Sequence, residues 1–246
     1  MRRLLVMALM GLAGEALAET PYVYQQGGLE AGQRTAVESQ TTLGTRELRP
    51  LGGRGVEQGV RVRHQILDGT TIEVFGGAVW QPEATDLRAG AIGAEVIQRV
   101  LTQKQVGVSL QIAAGGYRDV TGVFVPRVRA LLGRSWGRLH AQVSGNFEAP
   151  IAHRRDALDV ILGAAASWQA TAQTSIGLEA VGEDLEAIWD SRESEGGARL
   201  LVGPSVHTQF GALYVHGNIG ATTYWPVAGA APLTGALGRV NVGWRF

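Results

Sequence analysis

The sequence predicts an all-β chain, and more narrowly a transmembrane antiparallel up-and-down β-barrel of about 12 strands. Three observations carry this. From Arg34 onward the chain falls into segments with apolar and polar residues alternating at a period of two. The links between segments alternate between short and long. All six Trp fall at or beside segment ends rather than in mid-segment. Alternation puts apolar side chains on one face of each strand and polar ones on the other. A barrel that exposes its apolar face to lipid carries its aromatics at the two interfaces.

The elements follow in order. Met1-Arg2-Arg3 is a basic start, Leu4 to Gly14 is apolar but too short to span a bilayer, and Ala16-Leu17-Ala18 has the form of a cleavage site. Residues 1–18 are therefore expected to be a signal peptide, with the mature chain beginning at Glu19. Residues 19–33 (ETPYVYQQGGLEAGQ) show no period and are read as a periplasmic lead-in or a small plug. The barrel is expected over 34–246, in segments near 35–46, 56–67, 70–80, 87–101, 105–116, 122–133, 138–149, 157–168, 172–183, 198–208, 211–225 and 235–246. In the fifth, Val106, Val108, Leu110, Ile112 and Ala114 form the apolar row. The first is weakest, with only Val37 and Leu43 as large apolar residues. Asp68-Gly69 has the composition of a two-residue hairpin turn. Residues 102–104, 134–137, 169–171 and 209–210 are read as similarly tight, and the longer links between them belong at the other end. An even strand number then puts both termini on one side, the periplasm. Trp80, Trp189 and Trp225 mark the outer ends, and Trp136, Trp168 and Trp244 the inner ones.

The final strand is the most specific. Val240, Val242, Trp244 and Phe246 share one face, and Arg239, Asn241, Gly243 and Arg245 the other. In this the chain resembles bacterial outer-membrane β-barrel proteins. The resemblance covers the signal peptide and about residues 34–246, and it matches no particular family within the class. It implies an outer-membrane location and contact with outer-membrane lipid and lipopolysaccharide. It also implies recognition of Val240, Val242, Trp244 and Phe246 by the barrel-assembly machinery.

Composition excludes some chemistry. No cysteine is present, so disulfides and thiolate metal sites are ruled out. Removing Arg2, Arg3 and Glu15 from 22 basic and 22 acidic residues leaves 20 and 21. That balance gives no support for nucleic-acid binding. No metal or cofactor motif appears, and the expected cofactor set is none. Ser205-Val206-His207 would put Ser and His on one face about 7 Å apart, beyond hydrogen-bond reach. The chain is read as a non-enzyme with no catalytic residues.

The inward face is mixed in sign. Arg61/Arg63 and Arg127/Arg129 each project two guanidinium groups from one strand, with Arg99, Arg138, Glu73 and His140 also lining the lumen. Guanidinium forks suit carboxylate and phosphate groups. One reading is a passive channel or export-pathway component for small, anionic or sugar-like solutes, including polysaccharide. In the other, buried charges pair and fill the lumen, and the barrel acts through its outer loops. The outer loop 184–197, taken with Glu183, is the most acidic stretch, carrying Glu183, Asp184, Glu186, Asp190, Glu193 and Glu195.

Overall fold

The computed structural model describes residues 27–29, 33–45, 55–80, 88–119, 121–151, 158–185, 197–226 and 231–246. Among them run twelve principal strands. They are β1 (Thr35–Gly44), β2 (Gly55–Leu67), β3 (Thr70–Trp80), β4 (Ile92–Leu101), β5 (Ser109–Arg118) and β6 (Phe124–Trp136). Then follow β7 (Leu139–Glu148), β8 (Asp159–Gln169), β9 (Thr174–Glu183), β10 (Ala198–Phe210), β11 (Leu213–Trp225) and β12 (Leu233–Arg245). Each pairs antiparallel with its sequence neighbours, and β1 closes the sheet against β12 with Ala36 opposite Arg245 and Gly44 opposite Leu237. The result is a closed up-and-down barrel.

Polarity is inverted relative to a soluble protein. Val60, Val74, Val128, Val143, Leu162 and Ile176 point outward and are about half exposed, whereas Glu38, Glu73, Glu95, Glu179 and Asn241 are buried inside. The registers explain it: one residue of slip would exchange the two faces. Strands of 10 to 13 residues, each rising about 3.4 Å per residue and tilted, match an apolar band about 25 Å tall.

Four short turns, Asp68–Gly69, Gly137–Arg138, 170–173 and Gly211–Ala212, lie at one end with the link 102–108 and the strand termini Thr35 and Arg245. This is the turn end; the longer links lie at the loop end. Several boundaries differ from expectation, among them the turn expected at 209–210, which lies at Gly211–Ala212, and three show the local structure that displaces them. The fifth strand begins at Ser109 rather than 105, because Gln103–Val106 forms one helical turn, α1, with a capping box between Thr102 and Gln105. Local capping outweighs the alternation of Val106 and Val108 there. The sixth strand runs to Trp136, since Arg134 and Trp136 continue its outward row. The turn is therefore Gly137–Arg138 rather than 134–137, with Gly137 at φ 57°, where a side chain is disfavoured. The segment expected over 87–101 is interrupted: Arg88–Ala89 pairs with β3, and the strand resumes at Ile92.

Outward positions should be sensitive to charge by depth. Val143→Arg, at mid-strand on β7, should destabilise the folded barrel by about 2–4 kcal/mol, and Leu139→Arg at the rim by about 1 or less. Urea unfolding of lipid-reconstituted protein measures both.

Candidate functional site: the lumen wall

The inward residues of β1 to β7 form one continuous charged wall. Glu38 on β1 lies opposite Arg61 on β2, and Arg63 lies opposite Glu73 on β3. Arg61 approaches Glu38 at 3.9 Å and Glu73 at 3.4 Å, and Arg63 approaches Glu38 at 3.8 Å. Glu95 on β4 lies directly opposite Glu73. Its carboxylate receives Arg127 at 2.9 Å and also pairs with Arg129.

The pairing of Glu95 with β6 depends on what stands between them. Gly115 on β5 lies opposite Glu95 on one side and Arg127 on the other, and Ala113 lies opposite Ile97 and Arg129. Small residues here let both guanidinium groups lie flat across β5. A Cβ on Gly115 would come within 2.6 Å of the Glu95 Cβ and 2.2 Å of the Ala94 carbonyl oxygen. The ion pairs therefore run along the wall rather than across the bore. Four guanidinium groups, Arg61, Arg63, Arg127 and Arg129, face four carboxylates, Glu38, Glu73, Glu95 and Glu148.

Aromatics line the same wall. The guanidinium carbon of Arg127 lies 5.1 Å from the Phe75 ring centroid and 5.4 Å from that of Tyr117. The Tyr117 hydroxyl donates to Glu148 at 2.6 Å. Tyr117 is inward by its parity along β5, and that carboxylate partners its hydroxyl. Tyr224 is likewise inward on β11, with Arg199 over its ring at 5.3 Å.

The opposite wall also carries buried charge, Glu179, Arg239 and Arg245 among it, and adds an apolar cluster. Ile161, Val181, Leu201 and Leu237 pack as a buried apolar cluster. Arg199 bonds Glu183 at 3.0 Å. His207 Nδ1 lies 3.2 Å from His216 Nε2, with Ser205 also buried on the inward face. Tyr214 lies across Gly243 and accepts a hydrogen bond from Arg63 at 3.0 Å. Fully buried Asn241 lies opposite His216.

Arg61, Arg63, Glu73, Arg127 and Arg129 thus come together. Arg99 and His140 also face inward, Arg99 donating to the carbonyl of Leu29 at 2.9 Å. Arg138 does not join them. It sits exposed in the Gly137–Arg138 turn, because β7 begins at Leu139, one residue later than expected. Glu183 is a buried wall residue paired with Arg199 rather than a loop carboxylate, and Asp184 follows at φ 49°. Glu186, Trp189, Asp190, Glu193 and Glu195 lie outside the described residues. Trp80, Trp136, Trp168 and Trp244 point outward at strand ends, each nearly half exposed, and Trp225 ends β11. Val240, Val242 and Trp244 form the outward row of β12, and the Phe246 amide bonds the Thr35 carbonyl at 2.9 Å.

Glu38, Thr71 and Gln111 also belong to the site, though no motif in the sequence marks them. The period-two row of Ala36, Glu38, Gln40 and Thr42 was the available signal for Glu38; the other two are ordinary polar inward residues.

No protein-family model matches the chain, and no curated protein matches it in sequence. Among solved structures, its fold is similar to the KdgM porin, with a TM-score of 0.54 and 9% identity over 86% of this chain and 99% of that one. It is also similar to Omp33 of Acinetobacter baumannii, with a TM-score of 0.48 and 10% identity over 87% and 98% of the two chains. A bacterial polysaccharide outer membrane secretin gives 0.46 and 8% over 88% and 100%. At such identities the likeness is one of fold.

Removing the shared carboxylate should be costly, because two buried guanidinium groups lose their common partner. Glu95→Gln should lower barrel stability by about 3 kcal/mol. Gly115→Leu should separate Glu95 from Arg127 and lower the urea midpoint in the same assay.

Proposed function

We propose that the protein is an outer-membrane channel or export-pathway component for small, anionic or sugar-like solutes, with both termini periplasmic. The observation that carries this is the direction of the ion pairs. Arg61 meets carboxylates on the two neighbouring strands, and Arg127 and Arg129 meet Glu95 one strand removed, across Gly115. Pairing of that kind neutralises the wall without stretching side chains over the bore. Guanidinium edges and the Phe75 and Tyr117 rings then face the lumen, a surface suited to carboxylates and to the apolar faces of sugar rings. The inverted polarity of the barrel supports the membrane location, and the fold shared with a porin supports the architecture. In this reading the outward residues contact lipid and lipopolysaccharide, and the β12 row with Phe246 serves the assembly machinery.

The four cations balance the four carboxylates in number, but Arg61 and Arg127 are more exposed to the lumen than Glu38, Glu73 and Glu95, which implies a modest anion preference. The expected result in planar bilayers is discrete conductance with weak anion selectivity. Arg127→Glu combined with Arg129→Glu should shift it toward cations, and Glu95→Gln should strengthen it toward anions. Unchanged selectivity in both would show that another surface lines the path. No conductance under any condition would remove the channel.

The apolar cluster of Ile161, Val181, Leu201 and Leu237 inside the barrel favours a second reading, a filled barrel acting through its outer loops. Loss of function on deleting 186–196, with insensitivity to the Arg127 and Arg129 changes, would select it.

A further inference from the structure

The three residues Gly27–Leu29 lie inside the barrel, and their main chain is held by four consecutive strands. Arg63 on β2 donates to the Gly27 carbonyl at 3.1 Å. The Gly28 amide donates to Gln111 Oε1 on β5 at 2.7 Å. The Leu29 amide donates to Thr71 Oγ1 on β3 at 3.0 Å, and its carbonyl accepts from Arg99 on β4 at 2.9 Å. Side-chain donors meet its carbonyls and side-chain acceptors meet its amides. Two of the contacts are charge-assisted.

Shape fixes which residues fit. A Cβ at residue 27 would lie 2.6 Å from Gln111 Oε1, and one at residue 28 would lie 2.9 Å from Thr71 Oγ1. Glycine at 28 lets the main chain come this close to Thr71 and Ile97, whereas a Cβ at residue 27 would meet the free end of the Gln111 side chain and disturb its bond to the Gly28 amide. Leu29 is 2% exposed, and Ile97, 1% exposed, stands beside the site, its Cγ2 3.3 Å from where a residue 28 Cβ would be. Arg63 holds the segment with one nitrogen and Tyr214, from β11, with another. The contact thus ties the segment to both walls.

We propose that this is a receptor site for extended main chain built into the lumen, and that Gly27–Leu29 docks there as a releasable stopper near the turn end of the bore. Thr71, Arg99 and Gln111 all lie within a few residues of that end. Gly27–Leu29 belongs to no strand and takes part in no strand pairing, so it can detach without opening the sheet. The obstruction rests on the reading of the lumen as a solute path; the docking does not.

The chain has no cysteine, so Leu29→Cys supplies a unique thiol. In nanodiscs, a membrane-impermeant maleimide should label it at least about tenfold more slowly than the same thiol beside Gly28→Val, since a buried group reacts only on local opening. Equal, fast labelling of both would overturn the docking. In planar bilayers, Gly28→Val and Leu29→Asp should each raise the time-averaged current at least about twofold, because both undock the segment while leaving every strand residue in place. Protection of the thiol with currents unchanged by either variant would overturn the stopper. Silence from every form would overturn the stopper together with the channel, and the labelling arm distinguishes that result from a failure to dock.

Discussion

Closure of the sheet governs the rest of the molecule. In hydrocarbon no water is present to satisfy a free amide or carbonyl, so every strand edge within the bilayer needs a partner. The seam between β1 and β12 supplies the last of these, from Ala36 opposite Arg245 to Gly44 opposite Leu237. The seam carries on through the Thr35 and Phe246 main chains at the turn end. Once the seam is formed, a residue's parity along its strand decides whether it meets lipid or the interior. The outward Val and Leu rows and the inward Arg and Glu rows are consequences of that single geometric condition.

The interior then faces the opposite problem from a soluble core. Its charges are largely removed from water, and a charge so placed needs a partner. On β1 to β4 the partners stand on adjacent strands. Between β4 and β6 an intervening strand would block them, and Ala113 and Gly115 supply the clearance. The same device appears where Tyr214 lies across Gly243 to reach Arg63. Small residues here leave room for long side chains to lie along the wall. This arrangement keeps compensated charge compatible with a path through the barrel, and it explains why abundant arginine does not make the wall strongly positive.

The alternation was legible wherever large apolar and polar residues traded places, as in Leu139 to Phe147 and Val240 to Phe246. It misled where another local preference competed. Thr102 and Gln105 cap a helical turn, so Val106 leaves the strand pattern. Gly137 takes the left-handed turn conformation, which displaced the expected turn from 134–137 and left Arg138 off the wall. Aromatics at strand ends read as an interface girdle, and the outward Trp residues keep that position. Tyr117 and Tyr224 do not, because their parity along β5 and β11 turns them inward, where Glu148 and Arg199 partner them.

The sequence by itself determined the class of fold, the faces of the strands and the inward set of arginines and carboxylates, because a period of two is a local property of the backbone. Only the tertiary structure decided which charges meet. Glu95 is far from Arg127 along the chain and one strand removed in space, and nothing local marks Gly115 as the residue over which they join. The place of Gly27–Leu29 was likewise undetermined, since that stretch has no period and its partners come from four separate strands. Contacts of that kind depend on the closed barrel bringing distant positions to one radius.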